Sequence, residues 1–383
     1  MKNKWLIALA TIGIHICIGG VYAWSVLVNP IMQECGFNMT ETSFVFSLAI
    51  FFLGVSASTM GKLVDQKGAG FTGLLSMVLY CGGLVLAGLA VHLHSLILLY
   101  LSYGCLVGLG LGLGYVTPVS TLVKHFPNHA GVASGIAIMG FGFGAVLASP
   151  VMQYIIATYD LTANFLFMAV IYSVIMGLSV NYLLPIAPSG TEKTSENISE
   201  VYSTKEFRTL FMAFFINIAV GIGLLAVISP MLQEKFCLDP VSASAFVGLV
   251  GLINGLGRLC WASLSDWLGR KKTYLFMFIF QYLLFAVLAS TNNEYVFKIS
   301  VLLIISCYGG GFSCMPAFLS DLFGKQYLST IHGRILLAWG LAGLLSPVVV
   351  SLCKELTDSY CVILLVFATL CLVNFMQVRR IKI

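Results

Sequence analysis

Residues 61–68 read GKLVDQKG and residues 262–269 read ASLSDWLG, so an aspartate followed three positions later by a glycine occurs twice in the chain. The two aspartates, Asp65 and Asp266, are 201 positions apart (266 minus 65). Three further matches have nearly the same separation: NPIMQE at 29–34 with SPMLQE at 229–234, Pro118 with Pro316, and Pro150 with Pro347. Matches that share one offset indicate an internal duplication, with the same order of elements in both halves.

The composition excludes an ordinary soluble protein. The chain of 383 residues is 59% hydrophobic and only 9% charged, whereas a soluble domain has about 25% charged residues. A helix needs about 20 mostly apolar residues to cross a bilayer. We therefore predict an all-α membrane protein with twelve spans, the first of them a retained helix rather than a signal peptide. The predicted spans are 5–28, 43–60, 71–92, 95–119, 130–156, 163–184, 207–229, 242–265, 273–291, 295–321, 331–352 and 359–377.

The duplication divides these spans into two parallel six-helix repeats, at residues 1–186 and 207–383. Residues 187–206 are rich in Ser, Thr, Glu and Lys, and we predict that they form a cytoplasmic linker. With both termini in the cytoplasm, sixteen of the 20 basic residues lie in cytoplasmic segments, one lies within a span, and three lie in external loops: Lys235, Lys298 and Lys354. This asymmetry predicts cytoplasmic termini, and it accounts for the net charge of +5 without a nucleic-acid partner.

The basic residue within a span is Arg258, in NGLGRLCWASLSD at 254–266. All fifteen acidic residues can be placed in loops or at span ends, so Arg258 has no predicted carboxylate partner. A cation at membrane depth costs about 2.5 kcal/mol or more and usually marks a transport path. The guanidinium either extends to the membrane surface or bonds to carbonyls as a structural group, or it faces a central cavity. We favour the cavity, because paired N–H donors match a carboxylate.

Candidate lining residues lie on several predicted spans. Tyr308 and Phe312 are four positions apart and share one helix face, and His15 and Tyr22, seven apart, share another. The complete predicted lining consists of His15, Tyr22, Tyr115, Phe141, Asn254, Tyr308, Phe312 and Trp339, with Arg258 as the anion anchor. Aromatic walls around one cation predict a site for a small flat anion.

The duplicated motif suits a conformational role. Gly61 would allow a close helix contact, and Asp65 is predicted to lie at the positive N-terminus of the eleventh span in one conformation only. The predicted motif residues are Gly61, Asp65 and Gly68 in the first half and Asp266, Gly269 and Arg270 in the second. The copies differ, because Ala262 replaces the first glycine and the basic run after Gly68 is missing.

The motif and the parallel six-span halves resemble the major facilitator superfamily (MFS) over the whole chain. Four stretches resemble its oxalate/formate antiporter family: GGVYAWSV at 19–26, GYVTPVSTLVKHFPNHAGVASGIAIMGFGFG at 114–144, NGLGRLCWASLSD, and FLSDLFG at 318–324. This resemblance implies exchange or proton-linked transport of small carboxylates, with Arg258 as the anion anchor. It also implies a second basic residue in the eleventh span, where this chain has Trp339.

The tryptophan changes the expected substrate. One cation suits a monoanion, because the second carboxylate of a dianion would be buried without a partner. We therefore predict a monocarboxylate such as lactate, pyruvate or formate. An oxalate/formate-type dicarboxylate exchanger and a non-transporting membrane sensor on the same fold are the alternatives.

The sequence does not distinguish transport coupled to protons from exchange of one anion for another. His15 is the only deep titratable group besides Arg258, and it is either a proton carrier or a neutral lining residue. We expect no enzymatic activity and no cofactor, and the eleven cysteines show no metal-ligand spacing. The expected partners are a small organic anion, protons in the coupled case, and the lipid bilayer. The expected state is a monomer in the inner cell membrane.

Overall fold

The computed structural model describes residues 3–125, 130–183, 198–323 and 328–381, in which every regular element is a helix. Within these ranges, the side chains at 61, 62, 65, 66, 120, 123–125, 130–137, 198–200 and 328–330 lie outside the description. Twelve helices in the described ranges are long and apolar enough to span a membrane, as predicted. They are α1 (Lys4–Ala23), α2 (Met39–Met60), α3 (Lys67–His92), α4 (Leu96–Val119), α5 (Ile138–Thr158), α6 (Leu161–Leu183), α7 (Lys205–Phe236), α8 (Pro240–Leu268), α9 (Arg270–Ser290), α10 (Glu294–Phe323), α11 (Ile331–Thr357) and α12 (Cys361–Arg379).

Polar caps begin the second helix of each half at equivalent positions, 201 residues apart (239 minus 38). At α2, the Asn38 side chain accepts a hydrogen bond from the Glu41 N–H (2.8 Å), and the Glu41 carboxylate accepts one from the Asn38 N–H (2.9 Å). At α8, the Asp239 carboxylate accepts bonds from the N–H groups of Val241 and Ser242, both at 3.0 Å. Such caps satisfy the free N–H groups of a first turn, so both helices begin before their apolar runs.

A glycine of the duplicated motif breaks the helical path from the second to the third span in each half. Gly68 (φ 83°, ψ 164°), near the start of α3, is the non-helical residue within the run Met39–His92. Gly269 (φ 87°, ψ 146°) separates α8 from α9. Positive φ with extended ψ is essentially restricted to glycine, because a Cβ would clash with the backbone. The two motif glycines therefore make the same turn, which supports the duplication inferred from the sequence.

Several helices extend beyond the predicted spans. The first runs through a 3₁₀ turn at Gly20–Ala23 and continues as a second helix, Ser25–Cys35. The predicted loop lysines Lys235, Lys298 and Lys354 lie instead in the end turns of α7, α10 and α11. Hydropathy marks only the apolar part of a helix, and these turns carry polar side chains at the ends of the bundle.

The two halves cross each other on pairs of glycines. Where α2 crosses α11, a Cβ added to Gly54 would lie 2.7 Å from the Cα of Gly340. Where α5 crosses α8, a Cβ added to Gly142 would lie 2.8 Å from the Cα of Gly255. Small residues let helix backbones approach closely in membranes. These crossings bring the helices that carry Arg258 and the predicted aromatic lining together.

Hydrogen bonds also join the halves on the side of the bundle away from the chain termini, which we call the distal side. The Glu355 carboxylate, near the end of α11, accepts a bond from the Thr40 N–H (2.8 Å) and one from the Thr40 hydroxyl (2.7 Å), at the start of α2. Closer to the centre, the hydroxyls of Ser43 and Ser351 are 2.5 Å apart. The structure is thus closed on its distal side.

Candidate functional site

Arg258 is the only buried lysine or arginine in the described ranges, with 2% of its surface exposed. Its Nη1 donates a hydrogen bond to the Ile138 carbonyl on α5 (3.2 Å), and its guanidinium lies 5.2 Å from the ring centre of Phe312. Nε and Nη2 have no hydrogen bond of normal geometry with a described residue, although the hydroxyls of Tyr22 and Tyr115 lie close enough to interact with the guanidinium. None of the described carboxylates is buried. The guanidinium therefore lies inside the protein and does not extend to the membrane surface. One carbonyl occupies only one of its five N–H donors.

Aromatic rings from both halves form one continuous cluster at this site. The centre of the Phe141 ring lies 5.0 Å from that of Tyr22, 5.6 Å from that of Tyr115 and 6.1 Å from that of Trp339. Trp339 continues to Phe312 at 4.8 Å, the ring beside the guanidinium. Each of these rings is at most 5% exposed. Five predicted lining residues on α1, α4, α5, α10 and α11 are thus brought together.

A pair of tyrosines connects the two halves within the cluster. The hydroxyls of Tyr22 on α1 and Tyr308 on α10 are 2.9 Å apart. Gly221 on α7 leaves room for the Tyr308 ring, with which a Cβ at this position would collide. The positive charge of Arg258 acts on both hydroxyls and on that of Tyr115. The tyrosine bond must break if the halves are to separate at this point.

His15 also belongs to the cluster. It is fully buried, and its Nε2 is 3.1 Å from the Tyr115 carbonyl oxygen. Because a carbonyl can only accept, this geometry places a proton on Nε2. The imidazole centre lies 5.6 Å from the Tyr115 ring and 6.2 Å from the Phe141 ring. His15 therefore packs beside Tyr115 and Phe141 in this cluster, and its roles as a lining residue and in proton coupling stay predictions.

Two more buried side chains at the site have unpaired polar atoms. Asn254, one helical turn before Arg258, is 1% exposed, and neither Nδ2 nor Oδ1 has a partner among the described residues. The indole Nε1 of Trp339 is likewise unpaired within that part of the chain. A buried polar atom without a partner costs about 1–3 kcal/mol. Unpaired buried donors and acceptors beside a cation mark a place where a ligand or an ordered water would supply the missing partners.

The second copy of the duplicated motif forms an ion-pair cluster at the end of α8 nearest the chain termini. Arg270 pairs with Asp266 and donates to the Ser265 hydroxyl. Its Nε also lies 3.5 Å from Asp321 on α10. Asp321 was not among the predicted motif residues, although it precedes Gly324 by the same three positions that separate Asp266 from Gly269. That spacing was the available signal.

The first copy is only partly described. Gly68 makes the turn given above, whereas the surroundings of Gly61 and the side chain of Asp65 lie outside the description. The predicted contact between Asp65 and the N-terminus of α11 therefore stays a prediction. The Ile138 carbonyl beside Arg258 was also missed, and no signal could have revealed it, because every residue type offers the same backbone oxygen.

Comparison with known proteins gives a family match over most of the chain. The model of the Major Facilitator Superfamily matches residues 9–347. An uncharacterized MFS-type transporter of Escherichia coli (strain K12), YhjX, is 27% identical over 90% of this chain and 86% of its own length. The oxalate:formate antiporter of Oxalobacter formigenes is 23% identical over 87% and 81%, respectively. Apicoplast pyruvate carrier 1 of Toxoplasma gondii is 22% identical over the same two shares.

A solved structure supports the fold. The crystal structure of a bacterial homolog of the human lysosomal transporter Spinster, inward-facing and unoccupied, superposes with a TM-score of 0.78. The superposition covers 99% of this chain and 98% of the other at 13% sequence identity. At that identity the likeness establishes the architecture alone.

Proposed function

Because this chain belongs to the Major Facilitator Superfamily, we propose that it transports small monocarboxylate anions by alternating access, with Arg258 pairing the substrate carboxylate. The observation that carries the proposal is the state of Arg258: a buried cation with no described anion beside it, whose polar neighbours are one backbone carbonyl and the neutral hydroxyls of Tyr22 and Tyr115. A guanidinium binds a carboxylate through two parallel N–H bonds. The substrate would then be the missing counter-ion.

The preference for one carboxylate follows from the charge at the site. Trp339 stands where the antiporter resemblance implies a second cation, and its ring is packed between Tyr115, at 5.2 Å, and Phe312. A dianion would leave one carboxylate in a low-dielectric site without a positive partner, which costs several kcal/mol. Lactate, pyruvate and formate avoid this cost.

Oxalate exchange is the second candidate. The similarity to the oxalate:formate antiporter favours it, since the match covers 87% of this chain. In that case the second carboxylate would have to accept hydrogen bonds from neutral donors such as the Trp339 indole or the Tyr22 and Tyr308 hydroxyls. A neutral donor compensates a buried charge less well than a cation does.

The closed site is the starting point for the mechanism. His15, Tyr22, Tyr308 and Trp339 are each at most 1% exposed, so a substrate cannot enter without a movement of the halves. We propose that the two six-helix halves rock about this site. Pairing with a carboxylate cancels the charge of Arg258, which favours the closed state over the open ones.

The proposed halves are residues 1–186 and 207–383, joined by residues 187–206. The chain termini and the linker are proposed to face the cytoplasm of a cell whose inner membrane holds the protein, because the sequence predicts sixteen basic residues on that side and three on the other. Reporter fusions at the C-terminus and at residue 292 test this orientation. A cytoplasmic signal at the C-terminus together with an external signal at residue 292 supports this orientation, and the reverse pattern overturns it.

Two modes of coupling remain in the proposal, and they differ in what drives uptake. Proton-linked transport responds to a pH gradient across an otherwise empty vesicle, with His15 or the substrate carrying the proton. Anion exchange requires a carboxylate inside the vesicle and ignores the pH gradient. Uptake into empty proteoliposomes with and without a pH gradient distinguishes the two modes.

Counterflow in proteoliposomes tests the function itself. Vesicles preloaded with unlabelled lactate, pyruvate, formate or oxalate are diluted into the matching labelled anion. We expect exchange of at least one monocarboxylate, abolished in Arg258→Gln and retained in Arg379→Gln, which makes the same substitution at an exposed position. Exchange of oxalate alone contradicts the single-charge argument, and exchange of none of the four contradicts the proposed function.

A further inference from the structure

The amide of Asn254 is the most incompletely satisfied polar group beside Arg258. The side chain is 1% exposed, and both its donor, Nδ2, and its acceptor, Oδ1, lack a partner in the described ranges. The acceptor is the informative atom. Carboxylates carry no hydrogen-bond donor when ionised, so the carboxylate that pairs with Arg258 cannot satisfy it.

The position of Asn254 places this amide beside the anion anchor. Asn254 and Arg258 are four residues apart on α8 and share one face of the helix. Both side chains lie against Gly309 on α10: a Cβ at Gly309 would be 2.7 Å from Oδ1 of Asn254 and 3.2 Å from Cγ of Arg258. The absence of a side chain at Gly309 therefore leaves space for the two groups to lie next to each other.

We propose that Asn254 is a specificity-determining residue that binds a hydroxyl group on the carbon next to the substrate carboxylate, so that the site selects 2-hydroxy monocarboxylates. This inference rests on the proposed pairing of the carboxylate with Arg258. A hydroxyl donates to Oδ1 and accepts from Nδ2 at the same time, and it therefore satisfies both unpaired atoms. A 2-oxo group satisfies Nδ2 alone, and formate or an unsubstituted alkyl carboxylate satisfies neither.

The energetics indicate how large the selection should be. A site that holds polar groups for a substrate hydroxyl rejects the analogue without that hydroxyl strongly, because the buried groups stay unpaired in the complex. Lactate and propionate form the matched pair for this comparison, since they differ only by a hydroxyl in place of a hydrogen. We expect half-maximal inhibition of counterflow at a lactate concentration at least about tenfold lower than that of propionate.

The variant Asn254→Leu keeps the approximate shape of the side chain and removes both polar atoms. We expect it to lose the preference, so that lactate and propionate inhibit at similar concentrations. Asn254→Ala is the second variant and should give the same loss of preference. Asn254→Leu should leave the melting temperature of the substrate-free protein unchanged, because the amide forms no hydrogen bond with a described residue. Asn254→Ala should lower the melting temperature only through the packing that the shorter side chain loses.

The experiment separates failure of this inference from failure of the proposed function. Liposomes without protein give the background from passage of the neutral acids through the bilayer. Equal inhibition by lactate and propionate in the wild type, with both effects dependent on Arg258, overturns the role of Asn254 and leaves the proposed function intact. A preference for lactate that persists in both Asn254 variants also overturns it. Exchange of no monocarboxylate overturns both.

Discussion

At the scale of single residues, Trp339 carries the argument for substrate charge. Its ring lies in contact with Tyr115, Phe141 and Phe312, and its indole nitrogen is unpaired within the described part of the chain. A cation at this position would add a second charge to the site that holds Arg258. The substitution Trp339→Lys should therefore convert the preference from monoanions to dianions.

We expect Trp339→Lys to lower exchange of monocarboxylates at least about tenfold and to gain exchange of oxalate, since a change of one buried charge pair is worth more than 1.4 kcal/mol. The change is measured as the concentrations of unlabelled oxalate and unlabelled lactate that inhibit counterflow of labelled lactate. Trp339→Phe is the control, because it alters the ring without adding charge. Unchanged discrimination in the lysine variant contradicts the single-charge explanation.

The positive φ of Gly269 predicts that a side chain at this position strains the backbone. No atom lies within 4 Å of the Cβ that Gly269→Ala would add, so the cost arises from φ 87° alone. We expect a loss of about 1–3 kcal/mol of stability, seen as a lower apparent melting temperature of the purified protein. Gly333→Ala is the matched control, since it also has open space around the added Cβ but lies in a helix with no positive φ. It should be neutral or stabilising by up to about 1 kcal/mol; equal losses in both variants contradict the argument.

At the scale of elements, the distal contacts between α2 and α11 hold the two halves together. The negative Glu355 lies at the N-terminus of α2, where the helix dipole favours an anion. A third contact, from Asn29 Nδ2 to Gln233 Oε1 at 3.0 Å, joins the helix that continues α1 to α7. These polar groups lie near the ends of the bundle, so their separation exposes them to water at little cost, which suits a reversible gate.

Removal of the Glu355 charge should loosen this gate. We expect Glu355→Gln to accelerate amide hydrogen exchange at residues 39–43 severalfold, because the Thr40 N–H loses a charge-assisted acceptor. Hydrogen exchange followed by mass spectrometry measures this rate without introducing labels. Glu294→Gln breaks only a contact within the second half, with Lys298 at 2.5 Å, and should leave residues 39–43 unchanged. No change in the Glu355 variant, or the same change in both, contradicts the assignment of Glu355 to the gate.

At the scale of the whole molecule, composition and duplication were sufficient to predict the fold. The twelve spans were recovered, because long apolar runs have no other stable arrangement in a bilayer. The helix ends were predicted less well, since Asn38 and Asp239 act through capping bonds that hydropathy does not detect. Repetition singled out Gly68 and Gly269 as motif positions, whereas the turn that their backbone angles make required the structure.

The site was predicted in part for similar reasons. Arg258 was identified because a charge in an apolar run is conspicuous, and the predicted aromatic residues do contact one another. The Ile138 carbonyl and the unpaired amide of Asn254 depend on how α5, α8 and α10 pack. Packing between helices that are distant in sequence leaves little trace in the residue types of one chain.

Arg258 is proposed to bind a carboxylate rather than to stabilise the fold. A buried charge without a counter-ion destabilises a protein, so removal of that charge should not lower the stability of the fold. Removal of the charge should therefore weaken binding without lowering stability. This combination distinguishes a binding residue from a structural one more directly than transport alone.

The most direct measurement is equilibrium binding of labelled lactate to the purified protein, together with the melting temperature of the substrate-free protein, for the wild type and Arg258→Gln. We predict that the variant binds lactate at least about a hundredfold more weakly, because a desolvated charge-assisted pair is worth about 3 kcal/mol or more, and that it melts at the same temperature or higher. Unchanged binding, or a loss of binding accompanied by a markedly lower melting temperature, would contradict the account.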